Sequence, residues 1–165
     1  MKLSFVIPAW NEEELIAATI KSIQESSVEF DFEIIVADDA SDDHTPKIAK
    51  ELGVTVVSCN NRQIGPTRND GAADATGDVL IFVDADTIVS KDVVCETVEA
   101  IQSGAVAGGS FPVFEGNIPF LATILTPCLR VLFRIVGVAA GAYLFCTRDS
   151  FTQAGGFDPK FFAAE

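Results

Sequence analysis

Asp38-Asp39 and Asp84-Ala85-Asp86 each close an apolar run, Glu33-Ile34-Ile35-Val36-Ala37 in the first case and Val79-Leu80-Ile81-Phe82-Val83 in the second. Runs this apolar belong to strands buried on both faces of a parallel sheet. Their carboxylates therefore fall at strand C-termini, where open α/β sheets bind ligands. Asp84 and Asp86 are one residue apart, and side chains alternate along extended backbone, so both are expected on one side. Together they can hold a hard divalent cation and, through it, the oxygens of a diphosphate. For Asp38-Asp39 the competing reading is a solvated turn with an Asx cap.

The elements that must position these groups follow from the apolar pattern. Leu3 to Ile7 reads as a strand closed by Pro8, and a helix then runs through Leu15, Ile16, Thr19, Ile20 and Ile23. Asn11 is expected to cap that helix, with Glu14 at the capping-box position. A second strand covers Phe32 to Ala37, a turn-rich loop Asp38 to Asp43, and a helix enters at Thr45-Pro46 and ends at Gly53. Val54 to Ser58 is a third strand, Asn60 to Pro66 a polar loop, and Thr67 to Ala75 a helix stopped at Thr76-Gly77. The strand Asp78 to Val83 and a helix from Ser90 to Gln102 follow. Ala105 to Phe114 and Ala142 to Thr147 read as two more strands, and Arg148 to Ala154 as a short helix before the turn Gly155-Gly156-Phe157-Asp158-Pro159. Alternation of this kind builds linked βαβ units, a mainly parallel twisted sheet with helices on both faces.

The totals bound what such a fold can do. A chain of 165 residues is one domain, and 48% hydrophobic with 21% charged residues excludes disorder. The formal charge of −13 argues against nucleic acid as a partner, because phosphate backbones are bound by clustered Lys and Arg. Cys59, Cys95, Cys128 and Cys146 form no C-x-x-C pair, and the first residues lack the pattern of a signal peptide. Reduced thiols and a cytoplasmic domain are the expectation. His44, the single histidine, lies in an acidic loop and is assigned no role.

Five segments in order, Val6-Ile7-Pro8-Ala9-Trp10-Asn11-Glu12, Ile35-Val36-Ala37-Asp38-Asp39-Ala40-Ser41-Asp42, Gly65-Pro66-Thr67-Arg68-Asn69-Asp70-Gly71, Gly77-Asp78 through Asp84-Ala85-Asp86, and Gly155-Gly156-Phe157-Asp158, resemble the family 2 glycosyltransferases of GT-A fold. The resemblance covers nearly the whole chain. It implies a Rossmann-like α/β domain that transfers a sugar from a nucleoside-diphosphate sugar to an acceptor hydroxyl, with inversion. It places Pro8, Trp10 and Glu12 of the first loop, with Ala37 and Asp39, around the base and ribose, and the second Asp of the pair against the base. It has Arg68 help hold the nucleotide, where the residues alone equally allow a surface cation paired with Asp70 or Asp74. The stretch Asp84, Ala85 and Asp86 borders the diphosphate. Asp84 is implied on the ribose or metal-water side, and Asp86 as the direct ligand of Mg²⁺ or Mn²⁺. The same resemblance implies a general base, a carboxylate a few residues after the Gly-Gly-Phe-Asp turn. Glu165, the last residue, is either that base or its neighbour. The apolar approach to Glu165 reads as a domain, residues 1–165, cut from a longer protein.

Two rival functions remain open on these residues. One is a nucleotide-sugar binding module without catalysis. The other is a sugar nucleotidyltransferase, which would need a glycine-rich basic loop after the first strand; Pro8 to Glu14 has neither glycine nor base. The acceptor, whether glycan, lipid or small molecule, is undetermined. The apolar stretch 118–136 puts Ile124, Leu125, Cys128, Leu129, Leu132, Phe133 and Val136 on one helical face and Arg130 and Arg134 on the other. Two prolines and two arginines argue against a membrane span. An amphipathic helix covering the sheet, lying on the inner face of a membrane or meeting another subunit fits better.

Overall fold

The computed structural model describes residues 1–110 and 142–160. Six strands form one sheet: β1 Lys2–Ala9, β2 Asp31–Asp39, β3 Thr55–Cys59, β4 Val79–Val83, β5 Ala107–Ser110 and β6 Tyr143–Thr147, in the order β3-β2-β1-β4-β6-β5. β1 to β4 run parallel, and β6 lies antiparallel between β4 and β5. The chain steps from β1 outward to β3, then returns to lay β4 on the other flank of β1. That reversal makes the C-terminal ends of β1 and β4 the topological switch point, where the crevice of such sheets opens. The helices are α1 Ile16–Ser26, α2 Thr45–Glu51, α3 Ile64–Asp74, α4 Lys91–Gln102 and α5 Arg148–Ala154.

Strand alternation sorts the core into two layers. Leu3, Phe5, Ile7, Ile34, Val36, Val79, Ile81 and Val83 pack with Ile16, Ile20, Ile23, Val94 and Val98 of α1 and α4. Val6, Ile35, Leu80 and Phe82 face the other way, against Ala72 and Ala75, Phe151 and Phe157. Here α3 approaches very closely: a Cβ at Gly71 would stand 2.5 Å from Val6 Cγ1 and 3.2 Å from Ala37 Cβ.

Four local expectations need correction. α1 begins at Ile16, and its N-cap Leu15 makes no side-chain cap bond, so Asn11 and Glu14 do not form a capping box. Asn11 sits instead at φ 55, its amide donating to Asp42 Oδ1 at 2.7 Å and accepting from Asp42 N at 3.0 Å. Asn tolerates this left-handed backbone, and a partner distant in sequence wins over the local cap. β2 runs on through Asp38 and Asp39, which are therefore strand residues, each 5% exposed, and no solvated turn. Extended backbone ends at Val83, and Asp84 to Thr87 is a turn closed by Thr87 N on Asp84 O at 3.0 Å, so alternation does not orient Asp86. α3 starts at Ile64, three residues early, because Pro66 is accommodated in its first turn. Of the strand expected at Ala105 to Phe114, Ala107–Ser110 is observed; the residues from 111, the segment 118–136 and Glu165 lie outside the described residues.

At the N-terminal pole a single carboxylate ties the sheet together. Glu33 accepts from Ser4 Oγ at 2.6 Å, Lys2 Nζ at 2.8 Å, Thr76 N at 2.6 Å and Gly77 N at 3.2 Å. Burial pushes its pKa up, but the Lys2 ammonium and the Ser4 and Thr76 donors outweigh that and bring it to about 2.

Candidate active site

The rim at the other pole is built by register. Pro8 pairs with Ala37 and Ala9 with Asp38, while Val6 lies between Ile35 and Phe82. Counting on by twos from Val6 and Ile35 puts Pro8, Ala37 and Asp39 on the face that α3 covers; Asp84, just past β4, joins them through Arg68 of α3, and Trp10, just past β1, meets Arg62 of the loop after β3. Asp38 points to the opposite face.

On that face each group has identifiable partners. Arg68 of α3 is 8% exposed, and its Nη2 donates to Asp84 Oδ1 at 2.6 Å. Of the two sequence readings of Arg68, the surface pair with Asp70 or Asp74 therefore gives way. Asp70 instead accepts from Asn61 Nδ2 at 2.7 Å. Asn61 N donates to Asp39 Oδ1 at 2.6 Å, which fixes the loop after β3 over the end of β2. Among the described residues Arg68 Nε and Asp38 Oδ1 are buried without a hydrogen-bond partner. Cys59, at the end of β3, lies among Asp70, Asp39 and Asp38, and burial followed by those charges pushes its thiol up to about 12. It is no nucleophile at neutral pH. Among the described residues, Cys59, Cys95 and Cys146 form no disulfide.

The first loop closes the other side. Glu12 N donates to Thr45 Oγ1 at 2.8 Å, holding the loop to the start of α2. The Glu12 carboxyl is raised above its usual pKa by burial, then by the charges of Asp86, Asp43 and Asp84. Glu12, Asp84 and Asp86 thus share one electrostatic neighbourhood, although they come from loops after β1 and β4. Ala85 between the two acids is buried, its carbonyl accepting from Thr19 Oγ1 of α1 at 2.7 Å, while Asp86 is exposed. His44, 71% exposed, bonds Glu13 Oε2 through Nδ1 at 2.8 Å and fastens the first loop to the second.

Backbone strain gathers on the same rim. Asn11, Ala40 and Arg62 are the non-glycine residues at positive φ among those described, one in each loop that follows β1, β2 and β3. Such conformations persist where surrounding structure enforces them, commonly around binding sites.

Sequence reasoning missed several residues here. Asn61 and Arg62 carry no motif of their own and gain meaning only beside Asp39 and Trp10. Asn69 was legible as Arg68's neighbour, yet its partner is remote: Nδ2 donates to Phe157 O at 2.8 Å, and Phe157 N donates to Asn69 Oδ1 at 2.9 Å. Gly156, at φ +76, must lack a Cβ, which would stand 2.7 Å from Asn69 Oδ1. Phe157 packs edge-on against Phe82 at 4.9 Å between ring centroids, with the Arg68 guanidinium 5.4 Å from its own ring centroid. The Gly-Gly-Phe-Asp turn is thereby pinned beside the Arg68–Asp84 pair.

Among the described residues no three His, Cys, Asp or Glu side chains are placed to hold a metal ion unaided. The donor chemistry nonetheless fits a hard cation. Asp86 is exposed, Asp84 keeps Oδ2 outside its bond to Arg68, and Glu12 registers an excess of negative charge that a divalent ion would relieve. Mg²⁺ and Mn²⁺ are commonly held by one or two carboxylates, with substrate oxygens and water completing the shell.

A mainly parallel sheet in this order, with acidic loops at its switch point, defines a GT-A-type α/β domain. Residues 4–148 match the family model for glycosyl transferase family 2, and the chain belongs to that family. It is 31% identical over 144 residues to the dolichol-phosphate mannosyltransferase of Pyrococcus furiosus, covering 82% of this chain and 41% of that protein. It is 35% identical over 109 residues to the uncharacterized glycosyltransferase YfnE of Bacillus subtilis, covering 62% and 28%. The chain thus spans less than half the length of either relative. A mannosyltransferase from Pyrobaculum calidifontis, solved with GDP-Man and Mn²⁺, shares the fold with a TM-score of 0.77 at 22% identity, over 94% of this chain and 47% of that one. Glucosyl-3-phosphoglycerate synthase from Mycobacterium tuberculosis, solved with Mn²⁺, UDP and glucosyl-3-phosphoglycerate, superposes with a TM-score of 0.69 at 27% identity, over 92% and 58%.

Proposed function

We propose that this chain carries the donor site of an inverting glycosyltransferase that moves a sugar from a nucleoside diphosphate to an acceptor hydroxyl. The supporting observation is that Trp10, Asp39 and the Arg68–Asp84 pair gather at the C-terminal rim of the sheet, with Glu12 in the field of Asp84 and Asp86. Trp10, 50% exposed, offers a flat surface for a base. Asp39 has one oxygen committed to Asn61, and the other can accept from a base N–H or a ribose hydroxyl. Pro8 and Ala37 floor that pocket. Arg68 holds Asp84 on the ribose side, and Asp86, with Asp84 and Ala85 beside it, faces the diphosphate.

The metal proposed is Mg²⁺ or Mn²⁺ at Asp86 and Asp84, a reading that the synthase solved with Mn²⁺ and UDP supports. When bound, such an ion offsets the charge that builds on the departing diphosphate. In the transfer, the acceptor oxygen bonds to the anomeric carbon from the face opposite the diphosphate while the bond to the diphosphate oxygen breaks. The acceptor's proton goes to a carboxylate after the Gly155-Gly156-Phe157-Asp158 turn, Glu165 or a residue beyond it. Residues 1–165 are read as a single GT-A domain of a cytoplasmic enzyme. Among the described residues no helix is long and apolar enough to cross a membrane.

Calorimetric titration with UDP and GDP, with and without Mn²⁺, tests the reading. The expected result is metal-dependent binding of one of them, abolished by Asp86→Ala. Equal binding by that variant would refute the metal role.

A further inference from the structure

Trp10 follows β1, Arg62 follows β3, and β2 lies between those strands, so any contact between the two crosses the end of β2. They do meet: the Arg62 guanidinium carbon stands 5.1 Å from the centroid of the Trp10 ring, within cation–π range. Arg62 Nη2 also points to Ala40 O at 3.5 Å, the carbonyl just past Asp39, and Asn61 before it is bonded to Asp39 itself. Arg62 and Ala40 both hold left-handed backbone, at φ 52 and 57, so the crossing is kept against local preference. A base lying between Trp10 and a second planar group needs about 7 Å, one van der Waals contact of about 3.5 Å on each side. The pair leaves 5.1 Å.

We propose that Arg62 is a latch over the base pocket: it occupies the Trp10 ring when no nucleotide is present and is displaced when a base stacks there. The inference rests on the reading of Trp10 as the base platform. Stacking of a base on an aromatic side chain outweighs a half-exposed cation–π contact, so the exchange runs toward nucleotide, with an affinity lowered by the latch. Removing the guanidinium is expected to tighten nucleotide binding about two- to fivefold.

Trp10 is the chain's single tryptophan, so its emission reports the latch directly. Wild type, Arg62→Ala and Arg62→Lys are titrated with UDP and with GDP in the presence of Mn²⁺. The latch predicts that Arg62→Ala differs from wild type in emission before nucleotide is added, converges with it at saturation, and binds about two- to fivefold more tightly. Arg62→Lys, which keeps the charge and loses the flat cation, falls between. Equal affinities of wild type and Arg62→Ala overturn the latch and leave the pocket standing. Weaker binding by Arg62→Ala with Arg62→Lys unchanged overturns it in favour of a phosphate contact. No binding by any of the three overturns the base-platform reading, and this inference with it.

Discussion

Glu33 sits far from the rim and offers the clearest test of what holds the sheet together. Its pKa is brought from 4.5 to about 2 in the fold. At about 1.4 kcal/mol per pH unit, full linkage gives about 3 kcal/mol. The side chain is 24% exposed, so solvent screening reduces the expectation to about 2 kcal/mol. Glu33→Gln keeps the shape, discards the charge, and turns an amide donor toward the Lys2 ammonium or the Ser4 and Thr76 donors. Urea unfolding at pH 7, followed by far-ultraviolet circular dichroism, should show that loss. The pH dependence is diagnostic. A carboxylate with a depressed pKa contributes fully above 4.5 and loses its contribution as pH falls toward 2, so the gap between wild type and variant should narrow between pH 4.5 and 3. A variant as stable as wild type at pH 7, or a gap that stays constant over that interval, would refute the account.

Glu12 should behave in the opposite sense. Its pKa is raised by burial and by Asp86, Asp43 and Asp84, so its charge destabilises the metal-free fold above that pKa and costs nothing below 4.5. Glu12→Gln should therefore raise the melting temperature of the metal-free protein at pH 7 and leave it unchanged at pH 4, read by differential scanning calorimetry. Gly71→Ala places a methyl 2.5 Å from Val6 Cγ1 and should cost about 1–3 kcal/mol in urea unfolding, by lifting α3 from β1.

The sequence made the rim readable because its logic is local: an apolar run ending in carboxylates announces a buried strand and the pole where it stops. The same logic placed Asp39, Arg68 and Asp84 at one end of the sheet. It failed at Asn11, where the pattern of a helix cap was present but the carboxylate and backbone N–H of Asp42, across the next loop, were the better match. It failed also for the geometry after Val83, since a tight turn replaces the extended backbone from which the placement of Asp86 was argued. Asn61, Arg62 and Asn69 act through partners contributed by other strands and loops, and such pairings leave no periodic trace along the chain.

The reciprocal bonds between Asn69 and Phe157 turn a surface bend into a mooring point. The bend carries Phe157, whose ring meets Phe82 edge-on and lies beside the Arg68 guanidinium. Loosening Asn69 would then free the bend and, with it, the aromatic ring that shields the Arg68–Asp84 pair.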